Sequence, residues 1–354
     1  MIHWQEGLVG RRLRAWRGAV EVEVETDNGQ ITALAYPDLV GEPHPGDRVL
    51  LNTTALDMGL GTGGFAIVVA LPDRLPTERF EGPGHIVKAR YSPLQTVCLG
   101  VDEEDSPARS VMQRAEHLAG MPVVTADLHS ALPAILAGIH ADVPEAKVAY
   151  VMTDGGALAA GFSRLLSALG DRLAGTVTTG QAWGGDLEAV TVHSGLLAAR
   201  HVLGADVAIV SQGPGNLGTG THWGFSGVSV GETVNAASIL GGRPIGSLRI
   251  SGIDQRPRHR GVSHHSLTAY GQVALVPADL PVPDGVDQHV LDALAKLASL
   301  HRVVTVPVNG LLEALRASPV KLSTMGRGLG DDPIYFLAAA AAGRHAAALL
   351  GSQQ

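Results

Sequence analysis

Four apolar segments of this chain, each of strand length, run directly into polar segments, most of them rich in glycine. Val148–Thr153 leads to Asp154-Gly155-Gly156, and Thr176–Thr179 leads to Gly180-Gln181-Ala182-Trp183-Gly184-Gly185-Asp186-Leu187-Glu188. Val207–Ser211 leads to Gln212-Gly213-Pro214-Gly215-Asn216-Leu217-Gly218-Thr219-Gly220-Thr221, and Ser247–Ile253 leads to Asp254 and a basic stretch. Val303–Val308 reads as a further strand. Helical patterns fall at Leu158–Leu169, Leu187–Leu203, Glu232–Leu240, Asp287–Leu300, Leu311–Arg316 and Pro333–Leu350, the last with Asp332 as its cap. Ser106-Pro107 makes a good helix start, and Asp127 reads as the cap of another helix whose regularity Pro133 limits. This alternation predicts an α/β fold, a mainly parallel sheet with flanking helices. In such a sheet the four polar segments share one edge, the carboxyl ends of the strands, where ligands bind. The chain has 45 glycines, roughly twice ordinary usage, and they gather in these loops.

The first 70 residues read differently. Val20, Val22 and Val24 alternate with Glu21, Glu23 and Glu25, the period of a strand with one wet face. Asp27-Asn28-Gly29 turns the chain into Ile31–Ala35, Pro45-Gly46-Asp47 turns it into Arg48–Asn52, and Phe65–Ala70 adds a strand. These short strands predict a small barrel-like β domain over residues 1–75, a proline-rich charged linker over 76–84, and the α/β domain over 85–354. No apolar run reaches the ~20 residues that span a bilayer, and no signal-peptide pattern follows Met1. Cys98 is the single cysteine, which excludes internal disulfides, fits a reducing cytoplasm and reads as a buried, inert thiol. A net charge of −8 and 4% aromatic residues argue against nucleic-acid binding.

Two patterns carry chemistry. Gly213–Gly218 matches G-x-G-x-x-G after a strand, but the acidic residue that should follow about 20 residues on is missing. Asp254 lies about twice that far away, so a nicotinamide cofactor is not expected. The denser pattern is Asp254-Gln255-Arg256-Pro257-Arg258-His259-Arg260-Gly261-Val262-Ser263-His264-His265-Ser266. Its histidines and aspartate suit a divalent metal, with His259, His264 and Asp254 as ligands. Its arginines favour carboxylate or phosphate oxygens instead, since fixed positive charge opposes a cation. An anion site is therefore the first expectation and a metal the second. Asp154 and Asp186 sit at strand ends, where a carboxylate can orient a substrate, cap a helix or hold a turn. His193 and His201 fall on a helix and read as surface or packing residues. No P-loop pattern occurs.

Residues 148–270 also resemble the bacterial family catalogued as domain of unknown function 3866. The resemblance rests on Tyr150-Val151-Met152-Thr153-Asp154-Gly155, on Trp183-Gly184-Gly185-Asp186-Leu187-Glu188-Ala189-Val190, and on Gly213-Pro214-Gly215 with Gly218-Thr219-Gly220-Thr221. Its most specific part is Arg249-Ile250-Ser251 followed by Asp254, Arg256, Arg258-His259, Gly261 and Ser263-His264-His265. It extends to the N-terminal β segment and the Gly326–Gly330 loop, and it implies a shared fold and site without naming a reaction.

The leading functional expectation is an enzyme of group transfer or hydrolysis acting on a small anionic metabolite. Gly213, Gly215, Gly218, Thr219, Thr221, Asp254, Arg256 and Arg258 would bind it. His264 or His265 would move a proton, and Asp154, Asp186 and Asp254 would orient the substrate or a metal. The alternatives are a non-catalytic ligand sensor or scaffold, and a metal-dependent hydrolase. The oligomeric state is left open.

Overall fold

A computed structural model describes residues 1–61, 63–77 and 82–351. The middle of the expected linker, 78–81, lies outside the described residues. Strands β1 (Trp4–Trp16), β2 (Ala19–Thr26), β3 (Gly29–Ala35), β4 (Arg48–Asn52) and β5 (Ala66–Ala70) close into a barrel in the order β1-β2-β3-β5-β4. The valines of β2 point inward: Val22 and Val24 are fully buried, with Ala33, Val49, Leu51, Ala66 and Val68 around them. Strand β1 had no apolar alternation to announce it; seven of its thirteen residues are polar or glycine and most face water. It is a strand because it pairs with β2 on one side and β4 on the other.

A small hairpin, β6 (Ile86–Lys88) with β7 (Thr96–Cys98), joins the barrel to the second unit. Among the described residues that unit is built on β8 (Pro122–Thr125), β9 (Val148–Thr153), β10 (Gly175–Thr178), β11 (Leu187–Glu188), β12 (Val207–Gln212) and β13 (Arg243–Gly246). The ribbon β14 (Ile250–Ser251) and β15 (Gly261–Val262) follows, then β16 (Asp279–Pro283), β17 (Arg302–Val306) and the hairpin β18 (Ser323–Thr324) with β19 (Arg327–Gly328). Eight of these form one sheet in the order β11-β10-β9-β12-β8-β13-β16-β17, and its pairs are parallel. The expected fold, a parallel α/β sheet behind an N-terminal barrel, is the one observed.

Several boundaries differ, each for a physical reason. The segment 187–203 is not one helix: Leu187 and Glu188 pair with Val177 and Thr178, and the helix Val192–His201 starts at a Thr191–Ser194 capping box. Asp186 therefore caps nothing; it accepts the Thr176 N–H at 2.7 Å. Ser106-Pro107 opens only the single turn Arg109–Met112. The chain after β13 leaves the sheet at Gly246, so Ser247–Ile253 is a strand end plus one arm of the β14–β15 ribbon. Strand β16 escaped sequence reading because Pro281 and Pro283 lack an N–H. It pairs with β17 along its length, but with β13 only at Asp279.

The core's long element is the helix Pro333–Gly351, long and apolar enough by length and composition to cross a membrane, yet 67% buried within the fold. It packs on the helix Leu132–Asp142 through reciprocal glycines. A Cβ on Gly138 would lie 2.0 Å from the Ala340 carbonyl oxygen, and one on Gly343 would lie 2.0 Å from that of Ile135. Gly343→Ala should accordingly lower the free energy of unfolding by about 3 kcal/mol, because two backbones must separate. Gly330→Ala, with open space around it, should stay within about 0.5 kcal/mol in the same denaturant titration.

Candidate functional site

The β14–β15 ribbon lifts residues 252–260 into a loop and returns the chain to Ser263, whose hydroxyl caps the short helix His264–Thr268 by accepting the His265 N–H. This local turn converts sequence neighbours into a cluster. Ring centroids are 5.0 Å apart for His259 and His264, 4.8 Å for His259 and His265, and 4.5 Å for His264 and His265. Phe225 stacks on His265 with centroids 3.8 Å apart and planes 2° from parallel. The Nδ1 of His265 lies 3.1 Å from the Asp127 carboxylate, and that of His259 lies 2.8 Å from the Ser263 hydroxyl. Burial, reinforced by the Arg249 and Arg256 charges, pushes His259 down to about 3. Burial with His265, Arg258 and Arg249 pushes His264 down to about 4. Both rings are therefore neutral at pH 7.

Around the histidines runs a chain of alternating charges, of which Asp127, Arg249, Asp254 and Asp332 are buried. Arg249 lies between Asp127 at 3.6 Å and Asp254 at 3.8 Å. Asp254 takes both arms of Arg256, at 3.0 and 2.9 Å, and a third contact from Arg327 at 3.2 Å. Arg327 reaches on to Asp332, which also accepts the Ser251 hydroxyl at 2.5 Å and the Gly252 N–H at 3.1 Å. The Arg256 hydrogen bonds hold Asp254 far below the usual carboxylate range. For Asp127, burial works against ionisation, but the His265 hydrogen bond and Arg249 outweigh it and keep its pKa low.

Asp127 also lines a cavity of about 920 Å³ between the barrel and the sheet edge. The glycine loop Gly213–Asn216 forms one wall, and Arg14, Glu21 and Phe65 of the barrel face it. Inside it, His129 Nε2 stands 2.7 Å from the Ser163 hydroxyl, and Nδ1 stands 2.9 Å from the Tyr150 hydroxyl. Tyr150 continues to the Ser211 hydroxyl at 2.9 Å. Burial pushes His129 down to about 4, so it too is a neutral base.

The residues singled out from sequence separate into groups. His259, His264 and His265 come together, and Asp254, Arg256 and Arg249 border them. Asp254 is not placed as a third metal ligand; its carboxylate is occupied by Arg256 and Arg327, and the third ring is His265. Gly213 and Gly215 line the cavity. Gly218, Thr219 and Thr221 form an exposed turn, with the Thr219 and Thr221 hydroxyls 3.0 Å apart and Arg258 beside Gly220. Asp154 holds the neighbouring loop by accepting the Gln181 N–H at 2.8 Å. Asp186 pairs with Arg17 at 2.7 Å, next to a different pocket. Glu188 binds the fully buried Lys88 at 2.8 Å. Cys98 is only half-buried, and burial raises its thiol to about 11.

Asp127, His129, Ser163 and Tyr150 were not legible as site residues. Asp127 reads as a helix cap, yet it is the buried partner of Arg249 and His265. The available signal was Thr125-Ala126-Asp127-Leu128-His129, polar residues just past an apolar run. That run, β8, is four residues long and begins with proline. His129 makes the stability of the fold depend on pH. Its folded pKa, about 4, lies below the ordinary value near 6.5, so the unfolded chain binds the proton first. The stability due to neutral His129 is present above pH 6.5 and is lost as pH falls toward 4. His129→Gln should reduce the drop in unfolding free energy between pH 7 and pH 4 by on the order of 3 kcal/mol, measured by denaturant titration at both pH values.

No curated protein matches this chain. A family model described as "Protein of unknown function (DUF3866)" matches residues 32–343, from the third barrel strand into the final helix. That span takes in the histidine cluster, the charge chain and the cavity-facing Ser163, and the chain belongs to the DUF3866 family.

Proposed function

We propose that this protein is an enzyme of hydrolysis or group transfer whose small anionic substrate occupies the cavity between barrel and sheet. The observation that carries the reading is the Ser163 hydroxyl at 2.7 Å from His129 Nε2, both facing that cavity. A neutral imidazole held from behind by a tyrosine hydroxyl can accept the serine proton as the oxygen attacks an acyl or phosphoryl centre. It then returns the proton to the leaving group, and water releases the esterified serine. Tyr150 fixes the tautomer by accepting from Nδ1 and donating toward Ser211. Gly213 and Gly215 keep the binding role read from sequence.

Arg256 fits the anion less well than expected, because Asp254 already takes both of its arms. Arg14, exposed on β1 and lining the cavity, and Arg164, shared with Glu21, supply the positive charge there. A reducing, cytoplasmic setting suits this reading, since the one thiol is unpaired.

A fluorophosphonate probe should modify Ser163, seen as a mass shift on its peptide, and His129→Gln should slow that labelling about 100-fold. No adduct on Ser163, under conditions that fully label a known serine hydrolase, rejects the reading. An anion of the right class, at ~100 times its dissociation constant, should stabilise the protein by about 2.7 kcal/mol. That stabilisation should be absent in Arg14→Ala.

A further inference from the structure

The three histidines of the ribbon cluster take no part in the serine chemistry. Their ligand atoms all lie within 4.8 Å of one another. His265 turns one nitrogen to Asp127 and His259 turns one to Ser263, which leaves the Nε2 of each ring for another partner. His264 Nε2 is buried and has no hydrogen-bond partner, a state that costs about 1–3 kcal/mol unless something binds there. Arg249 is 5% exposed and its Nη2 likewise lacks a hydrogen bond.

We propose that His259, His264 and His265 form a binding site for a divalent transition metal ion, with Asp127 and Ser263 as the groups that orient two of the three rings. A histidine ligand ordinarily donates its far N–H to a carboxylate or another oxygen, and that partner sets which nitrogen faces the metal. Asp127 does this for His265, and Phe225 fixes the plane of the same ring. Metal–nitrogen bonds of about 2.0–2.1 Å set tetrahedral ligands roughly 3.4 Å apart, so the widest pair, within 4.8 Å here, closes by up to about 1.4 Å on binding. Three imidazoles select zinc, cobalt, iron or nickel over magnesium or calcium, which prefer oxygen. Two of the three arginine charges near the cluster are offset, since Arg249 sits between Asp127 and Asp254 and Arg256 is paired with Asp254, while Arg258 still bears on His264. Three protein ligands leave a coordination position open, where a metal lowers the pKa of bound water toward 7. The site stands independently of the serine reading, although Asp127 belongs to the walls of both.

The test uses tag-free full-length protein, stripped with chelator and titrated with Co²⁺ while the visible d–d absorption is followed. One Co²⁺ per chain, displaced by Zn²⁺, is expected. His264→Ala, at a partly buried position, should weaken Co²⁺ binding at least 100-fold with the far-UV circular dichroism unchanged. Asp127→Asn should weaken it 10–100-fold. A wild-type protein that takes up no Co²⁺, or variants at His259 and His264 that bind it as well as wild type, overturns the proposal. Labelling of Ser163 in the metal-free protein is read separately, so the two assignments fail independently.

Discussion

Arg249 lies 5% exposed between the carboxylates of Asp127 and Asp254, and much of the site geometry follows from that arrangement. Placing three charges out of water is costly, and removing one partner would strand the others at about 3–5 kcal/mol. The chain therefore has to bring three separate segments together: the loop after β8, the loop after β13 and the ribbon. Asp254 extends the link through Arg327 to the hairpin before the final helix, and Asp332 closes it on Ser251 and Gly252. In consequence the histidine cluster is held by charge from one side and by Phe225 from the other.

The barrel is positioned by a different set of contacts. Trp16 donates its indole N–H to the Gly161 carbonyl at 2.6 Å, and Arg164 pairs with Glu21 at 2.5 Å while lying over the Trp16 and Phe65 rings. Gly18, at φ 78°, approaches Gly161 so closely that a Cβ on Gly161 would meet the Gly18 carbonyl oxygen at 2.7 Å. Tyr36 meets Trp183 edge-on at 6.3 Å. These contacts bracket Ser163, the N-cap of a short helix, and they place the barrel wall across the cavity. The barrel thereby becomes one side of the pocket that Ser163 and His129 face.

How much of this was legible depended on whether the signal was local. The valine–glutamate alternation of β2 and the apolar run of β9 announce their strands, because each states its own burial pattern. The Asp254–Ser266 stretch announces a site, because six basic or imidazole side chains within thirteen residues exceed what a solvated loop needs. Strand β1 was silent, since pairing with β2 and β4, rather than a burial period of its own, makes it a strand. Asp127 was misread because a carboxylate before a helix is usually a cap, and only Arg249, 122 residues later in the chain, gives it another role.

The sequence by itself determined the class of fold, the parallel edge where loops collect, and the three histidines, because periodicity and glycine-rich turns act over a few residues. Only the tertiary structure decided which carboxylates and hydroxyls stand beside those histidines and which histidine stands beside Ser163. Those partners come from strands far apart in the chain, joined by parallel pairing and by the requirement that every buried charge find an opposite one.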